Sequence, residues 1–334
     1  MCKSIKYLAA LTTILLTACQ PRVATSFWAI GTPADSDVVG YTVIQAEGKT
    51  RHCYPVQAWF DGPWADTYHQ LHHHGVAVES ELMAYRIYFD KKQTIDVYCK
   101  RTPRLELATS YWYPNDSLLA AHYGDDILRV IGTVGVGTVK YWNNKLYHIE
   151  EVGERQQWIV SQSRKKATIA VRDIDWTVPD GKQDAPETRQ IVNLTAEYTL
   201  LAGHRDMRCD VRVSEPVEGL CTGVQTIPAK GSDNLSQIDC IQLKNGVLLT
   251  SWGTDWPVND TIKYAKEMVG LGVFIPKQYA GEFVQDQHNN LCLLKGTNPH
   301  FFLTVCGATK EDHPVATNAT EWCNYLRHWA AKLK

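Results

Sequence analysis

The sequence has almost no net charge and lacks the short motifs of several common enzyme classes. Its 34 basic and 36 acidic residues leave a formal net charge of −2, which provides no electrostatic attraction to nucleic acid or to an anionic membrane surface. It contains no G-x-G-x-x-G fingerprint, no G-x-S-x-G elbow and no C-x-x-C pair. These absences disfavour a dinucleotide-binding fold, an elbow-type serine hydrolase and a zinc ribbon. We therefore expect no nucleic-acid partner, no cofactor and no metal.

The apolar run at the N-terminus, from Tyr7 to Leu16, is too short to cross a bilayer as a helix. Two lysines precede it, which is the pattern of an export signal. The run ends in LTAC, which resembles the bacterial lipobox. We predict a lipoprotein signal peptide over residues 1–18 and lipidation of Cys19, so that acyl chains alone anchor the protein to a membrane, in the periplasm or at the outer membrane or cell surface. A plain secretory signal with an incidental cysteine is the alternative.

Cysteine usage agrees with export but does not define a disulfide framework. Of the ten cysteines, Cys2 and Cys19 fall in or next to the predicted signal, which leaves eight. Cys99, Cys209 and Cys306 lie in strand-like runs, where a free cysteine behaves as a small buried hydrophobe. The remaining cysteines allow one or two disulfides, and their spacing does not define the pairing.

Alternation of apolar and polar residues recurs along most of the chain and predicts strands with one buried face. The segment QIVNLTAEYTLLAGHRDMRCDVRVS alternates on both sides of a turn at residues 202–206 and predicts a hairpin. Many strands with few helical intervals predict an all-β fold, a large antiparallel, supersandwich-like β-sandwich. We assign residues 19–58 to an N-terminal linker and partial sheet and residues 59–334 to the sandwich, with a surface loop or weak boundary at residues 179–189.

Helical patterns are few. NDSLLAAHYG predicts a short helix capped by Asn115 or Asp116, and the tail NATEWCNYLRHWAAKLK predicts a C-terminal helix with Asn318 and Glu321 at its start. One face of the tail carries apolar residues at helical spacing, which we expect to dock the helix on the body: Trp322, Leu326, Trp329 and Leu333.

A polar face is predicted on the strands MAYRIYFD and TIDVYCK. If they pair as a hairpin, their even-numbered side chains share one side of the sheet. We expect these residues to form one wall of a groove: Arg86, Tyr88, Asp96, Tyr98 and Lys100. A solvated outer face is the alternative, but tyrosines and cations are residue types that bind a sugar and its carboxylate.

A histidine cluster precedes this hairpin and is expected to roof the groove. His69, His72, His73 and His74 lie ahead of Gly75, and Glu79 and Glu81 follow. Histidine can transfer protons near neutral pH, although in a run of three we expect at most one to point inward. No metal-ligand spacing links this cluster to Glu79.

Farther along, the segment HYGDDILRVIGTVGVG contains Asp125 and Asp126 and three glycines, Gly132, Gly135 and Gly137. We interpret these glycines as strand glycines that allow close packing or bulges.

Several of these motifs together are similar to one family. The runs HHGVAVESELMAYRIYFDKKQTIDVYCKRTPRLEL, YGDDILRVIGTVGVG, LLAGHRDMRCDV and CTGVQ resemble the bacterial domain of unknown function 4861, from about Trp59 to the C-terminal helix. The resemblance implies an exported β-sandwich that acts on plant or host glycans, encoded beside pectin-degrading and other polysaccharide-degrading enzymes. It carries over positions rather than roles: His73, His74, Glu79, Glu81, Arg86, Tyr88, Asp96, Tyr98 and Lys100.

The leading functional hypothesis is an enzyme that acts on a uronic-acid-containing glycan. A lyase would use Arg86 and Lys100 to neutralise the uronate carboxylate, and Tyr88, Tyr98 or His73 to transfer protons. A hydrolase would need two carboxylates, for which Glu79, Glu81 and Asp96 are candidates.

We assign the candidate roles accordingly. The candidate catalytic residues are His73, His74, Glu79, Tyr88 and Tyr98, and the candidate substrate-binding residues are Glu81, Arg86, Asp96 and Lys100. The alternative hypotheses are a non-catalytic glycan-binding surface lipoprotein and a purely structural polar face.

Overall fold

The structure of the protein is a computed structural model that describes residues 22–27, 41–45, 50–53, 71–110, 112–179, 189–227, 237–258, 261–262 and 264–333. The predicted signal peptide, the predicted lipidation site Cys19, and His69 lie outside the described residues. So does most of the predicted surface loop, residues 180–188.

Antiparallel strands dominate the described residues and form three sheets, with strands and helices numbered in chain order. The site sheet has the order β1-β4-β5-β6-β7. Its strands are β1 (Val23–Ser26), β4 (Gly75–Ser80), β5 (Met83–Tyr88), β6 (Ile95–Cys99) and β7 (Asp125–Asp126).

The long sheet has the order β15-β16-β17-β20-β13-β12-β11-β10-β2-β3. Its strands are β2 (Tyr41–Gln45), β3 (Thr50–Cys53), β10 (Glu154–Gln162), β11 (Lys166–Thr177), β12 (Ile191–Leu201), β13 (Met207–Val213), β15 (Gln237–Gln242), β16 (Gly246–Asp255), β17 (Glu267–Pro276) and β20 (His300–Gly307).

The small sheet has the order β18-β19-β14-β8-β9. Its strands are β8 (Lys140–Trp142), β9 (Leu146–Tyr147), β14 (Leu220–Gln225), β18 (Ala280–Gln285) and β19 (Asn289–Leu294). The predicted all-β, antiparallel sandwich is confirmed.

The hairpin β12–β13 shows why the alternation produces this architecture. The predicted hairpin is present, and its register runs from Leu194 opposite Val213 to Leu200 opposite Met207. The apolar set of β12 is buried while its neighbours are more exposed: Val192, Leu194, Ala196, Tyr198 and Leu200. This face belongs to one core that also contains the apolar side chains of the site sheet, including Val76, Val78, Tyr85 and Val97. The site sheet therefore packs on the long sheet and leaves its polar side chains on the opposite face.

Both predicted helices are present. Helix α1 (Asp116–Ala120) begins after Asn115, whose side chain accepts a hydrogen bond from the Leu118 amide. Helix α2 (Ala319–Ala330) begins after Asn318, whose side chain accepts one from the Glu321 amide. The predicted apolar stripe of α2 docks on the long sheet, with Trp322, Leu326 and Trp329 buried and Leu333 packed beside them. No helix among the described residues is long and apolar enough to cross a membrane.

The glycines after β7 differ from the prediction. Gly132, Gly135 and Gly137 have φ of +64°, +63° and +65°, and they lie between β7 and β8 rather than within strands. The strand assignment was wrong because these residues make left-handed turns, which glycine adopts at low cost. The predicted close packing is confirmed at Gly137, where an added Cβ would lie 2.5 Å from Cδ2 of Leu303.

The cysteines with described side chains form no disulfide. Cys99, Cys209 and Cys306 are buried and free, as expected, and Cys221, Cys240, Cys292 and Cys323 are also free. The disulfides that the sequence allowed are thus absent among these seven residues.

Candidate functional site

The predicted hairpin forms and brings its polar side chains to one face. In β5–β6, Arg86 lies opposite Asp96 and Ala84 opposite Tyr98. The neighbouring strands extend this face, because Glu79 of β4 lies opposite Ala84 and Asp126 of β7 lies opposite Tyr98. The shared polar face is therefore confirmed.

The expected open groove wall is wrong, because this face is packed under another layer. Arg86, Asp96, Tyr98 and Lys100 are each at most 2% exposed. The layer is the covering segment, residues 104–110 with Trp112 and Tyr113. Its Leu107 packs on Ala77, Ala84 and Tyr98, and the Trp112 carbonyl accepts a hydrogen bond from Arg86 Nη1.

Glu79 and Lys100 form a buried ion pair that attaches the covering segment to the sheet. The Lys100 ammonium donates to the Glu79 carboxylate, to the Ser80 carbonyl at 2.5 Å and to the Arg104 carbonyl at 2.7 Å. The Glu79 carboxylate also accepts from the amides of Glu106 and Leu107, at 2.7 and 3.0 Å. All three ammonium donors thus have partners inside the protein.

Arg86 lies at the centre of a second buried cluster. Its Nη2 atom donates to the carboxylates of Asp96 and Asp126. The Tyr88 hydroxyl donates to Asp96 Oδ2 at 3.0 Å. Burial, together with the nearby Asp96 charge, raises the pKa of Asp126 well above its ordinary value despite the attraction of Arg86. We call Arg86, Asp96 and Asp126 the charged cluster. It contains two carboxyl groups and one cation, and the raised pKa of Asp126 favours the protonated form of that carboxyl group.

One end of the charged cluster lies against four aromatic residues. We call this group the aromatic mouth; it consists of His74, Tyr88, Trp112 and Tyr113. Tyr88, Trp112 and Tyr113 are partly exposed. The His74 ring stacks on Trp112 with ring centroids 4.7 Å apart and meets Tyr88 edge-on at 5.4 Å. The Arg86 guanidinium lies 5.3 Å from the Tyr113 ring centroid, within reach of a cation–π interaction. The mouth thus places three partly exposed aromatic residues against the charged cluster.

The three consecutive histidines are all buried, so the expectation that at most one points inward was wrong. They form a 3-10 turn in which His73 and His74 have φ of 54° and 61°. This left-handed backbone aims successive rings into the structure, which an extended loop would not do.

Hydrogen bonds to carbonyls define the protonated nitrogens of His72 and His73, since a carbonyl only accepts. His72 Nε2 donates to Ser110 O at 2.8 Å and its Nδ1 accepts from Ser26 Oγ at 2.6 Å. His73 Nε2 donates to Leu107 O at 2.7 Å, and its Nδ1 has no partner. Burial lowers the pKa of His72 to about 4 and that of His73 well below its ordinary value. Both rings are therefore neutral at neutral pH, and no group of His, Cys, Asp and Glu in the described ranges is arranged to hold a metal.

Like Glu79, Lys100 and His73, the predicted site residues Tyr98 and Glu81 are not part of the mouth. The Tyr98 hydroxyl donates to the Gly124 carbonyl at 3.0 Å beneath the covering segment. Glu81 follows the end of β4, pairs with Arg22 and accepts from the Gly203 amide at 2.9 Å. The structure thus brings together His74, Arg86, Tyr88 and Asp96, and it places the Tyr98 ring centroid 5.9 Å from the Arg86 guanidinium carbon. Glu79 pairs with Lys100, His73 contacts the covering segment and Glu81 pairs with Arg22.

Three residues of this site were not predicted from the sequence: Asp126, Trp112 and Tyr113. Asp126 was noted only as part of a motif, although its position after Gly124 in a strand-like run could have indicated a partner for Tyr98. Trp112 and Tyr113 belong to SYWYP, a segment without periodicity, and nothing in the sequence indicated which surface they would cover.

A comparison with family models identifies the chain. The family described as Domain of unknown function (DUF4861) matches residues 47–334. The chain belongs to this family. The DUF4861 match starts before Trp59, where the resemblance was placed, and includes every residue of the mouth and the charged cluster. No curated protein matches the chain. Membership of DUF4861 confirms the resemblance but assigns no role to any residue.

Proposed function

We propose that this DUF4861 protein is an exported carbohydrate-active protein that binds its glycan at the aromatic mouth. The supporting observation is that three partly exposed aromatic residues, Tyr88, Trp112 and Tyr113, lie directly beside a buried acid cluster. Aromatic rings offer the apolar surface on which a pyranose stacks, and tyrosine hydroxyls offer hydrogen bonds to sugar hydroxyls. A uronic-acid-containing glycan follows from the family resemblance.

For an enzyme, hydrolysis receives better support than β-elimination. Asp96 and Asp126 both contact Arg86 Nη2, so their nearest oxygens are within about 6 Å, the sum of two hydrogen-bond lengths. Glycoside hydrolysis uses two carboxyl groups, one of which must hold a proton, and Asp126, whose pKa is raised, is the candidate acid. The Tyr88 hydroxyl donates to Asp96 and so connects the charged cluster to the mouth.

β-Elimination needs a cation that can bind the uronate carboxylate and a base that can accept a proton. The candidate cations are paired with carboxylates of the protein, and the candidate tyrosines are protonated. Arg86 is paired with two carboxylates, and Lys100 with Glu79. Burial raises the pKa of Tyr88 and of Tyr98 far above neutrality, so neither is ionised at neutral pH. The third base candidate, His73, is neutral but fully buried, so a lyase would have to obtain an accessible cation and an accessible base elsewhere.

Non-catalytic glycan binding is the second candidate. It is favoured by the burial of the charged groups, since Asp96 and Asp126 are 2% and 3% exposed whereas Tyr88, Trp112 and Tyr113 are partly exposed. A binding protein needs the rings and no matched acid and base.

The test is to incubate the mature protein with pectic and glycosaminoglycan oligosaccharides. Reducing ends and absorbance of the unsaturated uronate are followed together, and binding is measured by calorimetry. Reducing ends without absorbance select hydrolysis, an absorbance rise selects the lyase, and binding without either product selects the binding protein. Trp112→Ala should weaken binding at least about tenfold, the scale of one aromatic contact. Tyr147→Phe, on the small sheet, is the matched control, and retained affinity in Trp112→Ala would reject the mouth as the site.

Lipid anchoring belongs to the same proposal and has a separate test. Expression with labelled palmitate should label the wild-type protein and not Cys19→Ser, which should be recovered free of the membrane fraction. Equal labelling of the two proteins would reject Cys19 as the acylated residue.

A further inference from the structure

A second pocket lies under helix α2, on the face of the long sheet opposite the site sheet. It has a volume of about 360 Å³, and its lining includes Asp239, Trp252, Thr320, Cys323, Asn324 and Arg327. The two faces are distinguished by their cores. Leu249 and Phe301 belong to the core shared with the site sheet, whereas Trp252 and Phe302 pack with α2. The α2 pocket is therefore separate from the aromatic mouth, and its volume is within the range of small-molecule sites, about 300–1,000 Å³.

Three exposed polar side chains of the α2 pocket have no partner among the described residues. Within the described part of the chain, the side chains of Asp239, Asn324 and Arg327 form no hydrogen bond or ion pair. Asp239 and Arg327 both act on Cys323 electrostatically, yet no oxygen of Asp239 lies within the 4.0 Å of Arg327 that defines an ion pair. A carboxylate and a guanidinium thus border the same space without neutralising each other.

This arrangement selects the charge of a ligand. An anion would be attracted by Arg327 but repelled by Asp239, and a cation would be attracted by Asp239 but repelled by Arg327. A hydroxyl group can donate to Asp239 and accept from Arg327, and a neighbouring hydroxyl can use the Asn324 amide in the same two ways. The Trp252 indole, 8% exposed, adds an aromatic surface to the lining. We propose that the α2 pocket binds a neutral sugar unit, independently of the proposed function of the aromatic mouth.

Cys323 is a built-in reporter for this test. It lines the pocket and is partly exposed. Cys240 is also partly exposed, is on the same strand as Asp239 and does not line the pocket, and burial raises the pKa of both thiols. Alkylation of each thiol can be followed separately by peptide mass spectrometry. A sugar in the pocket should slow the alkylation of Cys323 and leave that of Cys240 unchanged.

The probes are two pairs that differ in charge alone, galactose with galacturonate and glucose with glucuronate. We expect a neutral sugar to protect Cys323 better than its acidic counterpart. Arg327→Met should raise the half-protecting concentration about tenfold, the size of a charged hydrogen bond. Asp239→Asn should reverse the preference within a pair, because Arg327 is then unopposed. Lys332→Met, on the same terminal segment, is the charge-matched control and should behave as the wild type.

The proposal is overturned if none of the four sugars changes Cys323 alkylation relative to Cys240, or if an acidic sugar protects the wild type better than its neutral partner. Trp112→Ala, which alters the aromatic mouth, should leave the protection intact. Loss of protection in that variant would also overturn the separation of the two sites.

Discussion

Replacing Lys100 with methionine removes the cation from a buried pair in which each side chain is about 1% exposed. The Glu79 carboxylate keeps its two backbone donors but loses its counter-charge, and the carbonyls of Ser80 and Arg104 lose their donor. Breaking one side of a buried ion pair costs about 3–5 kcal/mol. We therefore expect Lys100→Met to lower the free energy of unfolding by this amount, and Glu79→Gln to lower it by about 3 kcal/mol.

The double variant Glu79→Gln/Lys100→Met should lose less than the sum of the two single variants, because neither charge is then left unpaired. Urea unfolding followed by tryptophan fluorescence measures all three free energies. Losses below about 1 kcal/mol, or strict additivity, would refute the assignment of this pair as the attachment of the covering segment. If the pair has no direct contact with substrate, glycan binding by the double variant should persist at temperatures where it remains folded.

Three further predictions concern pH and backbone conformation. Because the pKa of His72 is lowered from 6.5 to about 4 in the fold, its stabilisation is present above pH 6.5 and about 3 kcal/mol is lost as the pH falls to 4. His72→Gln should flatten that part of the unfolding curve, and an unchanged slope would contradict the neutral ring. Burial lowers the pKa of Lys140 from 10.5 to about 7, so the stability difference between wild type and Lys140→Met should shift by up to about 5 kcal/mol in favour of the wild type between pH 7 and 10.5. A pH-independent difference would show that the amine is charged in the fold. Gly137→Ala should lower the free energy of unfolding by about 2–4 kcal/mol, since it adds a clash with Leu303 to a left-handed backbone. Gly132→Ala should lower it by only about 1 kcal/mol, since nothing lies near the added Cβ. Equal melting temperatures for the two variants would contradict this.

Local patterns in the sequence predicted the parts of the fold that depend on local physics. The alternation of β12 and β13 predicted both the hairpin and its buried side, because a strand repeats every two residues. The same argument placed Arg86, Tyr88 and Asp96 on one face. Asn318 predicted the start of α2, because its side chain accepts a backbone amide that the first helical turn leaves unpaired.

The covering segment could not be predicted, since its position depends on contacts distant in sequence. Residues 104–113 show no periodicity, and their attachment comes from Glu79 and Arg86 on strands that precede them. The error about the open groove follows from this, because alternation marks a face as polar without showing whether water or another layer lies on it. The histidine error has a different cause, since left-handed backbone at His73 and His74 has no signature in a run of identical residues.

We propose that the charged cluster beneath the aromatic mouth acts on a glycan, and Asp126→Asn removes the carboxyl group that would supply the proton. Asparagine retains an oxygen for Arg86 but cannot hold the proton that the raised pKa of Asp126 favours. The measurement is the rate of reducing-end release from the oligosaccharide that the wild type cleaves, in a variant whose unfolding curve matches the wild type. We expect the rate of reducing-end release to fall at least about 100-fold, the scale of one acid–base group. Binding of the glycan at the mouth should be unchanged. Full activity in Asp126→Asn would contradict it.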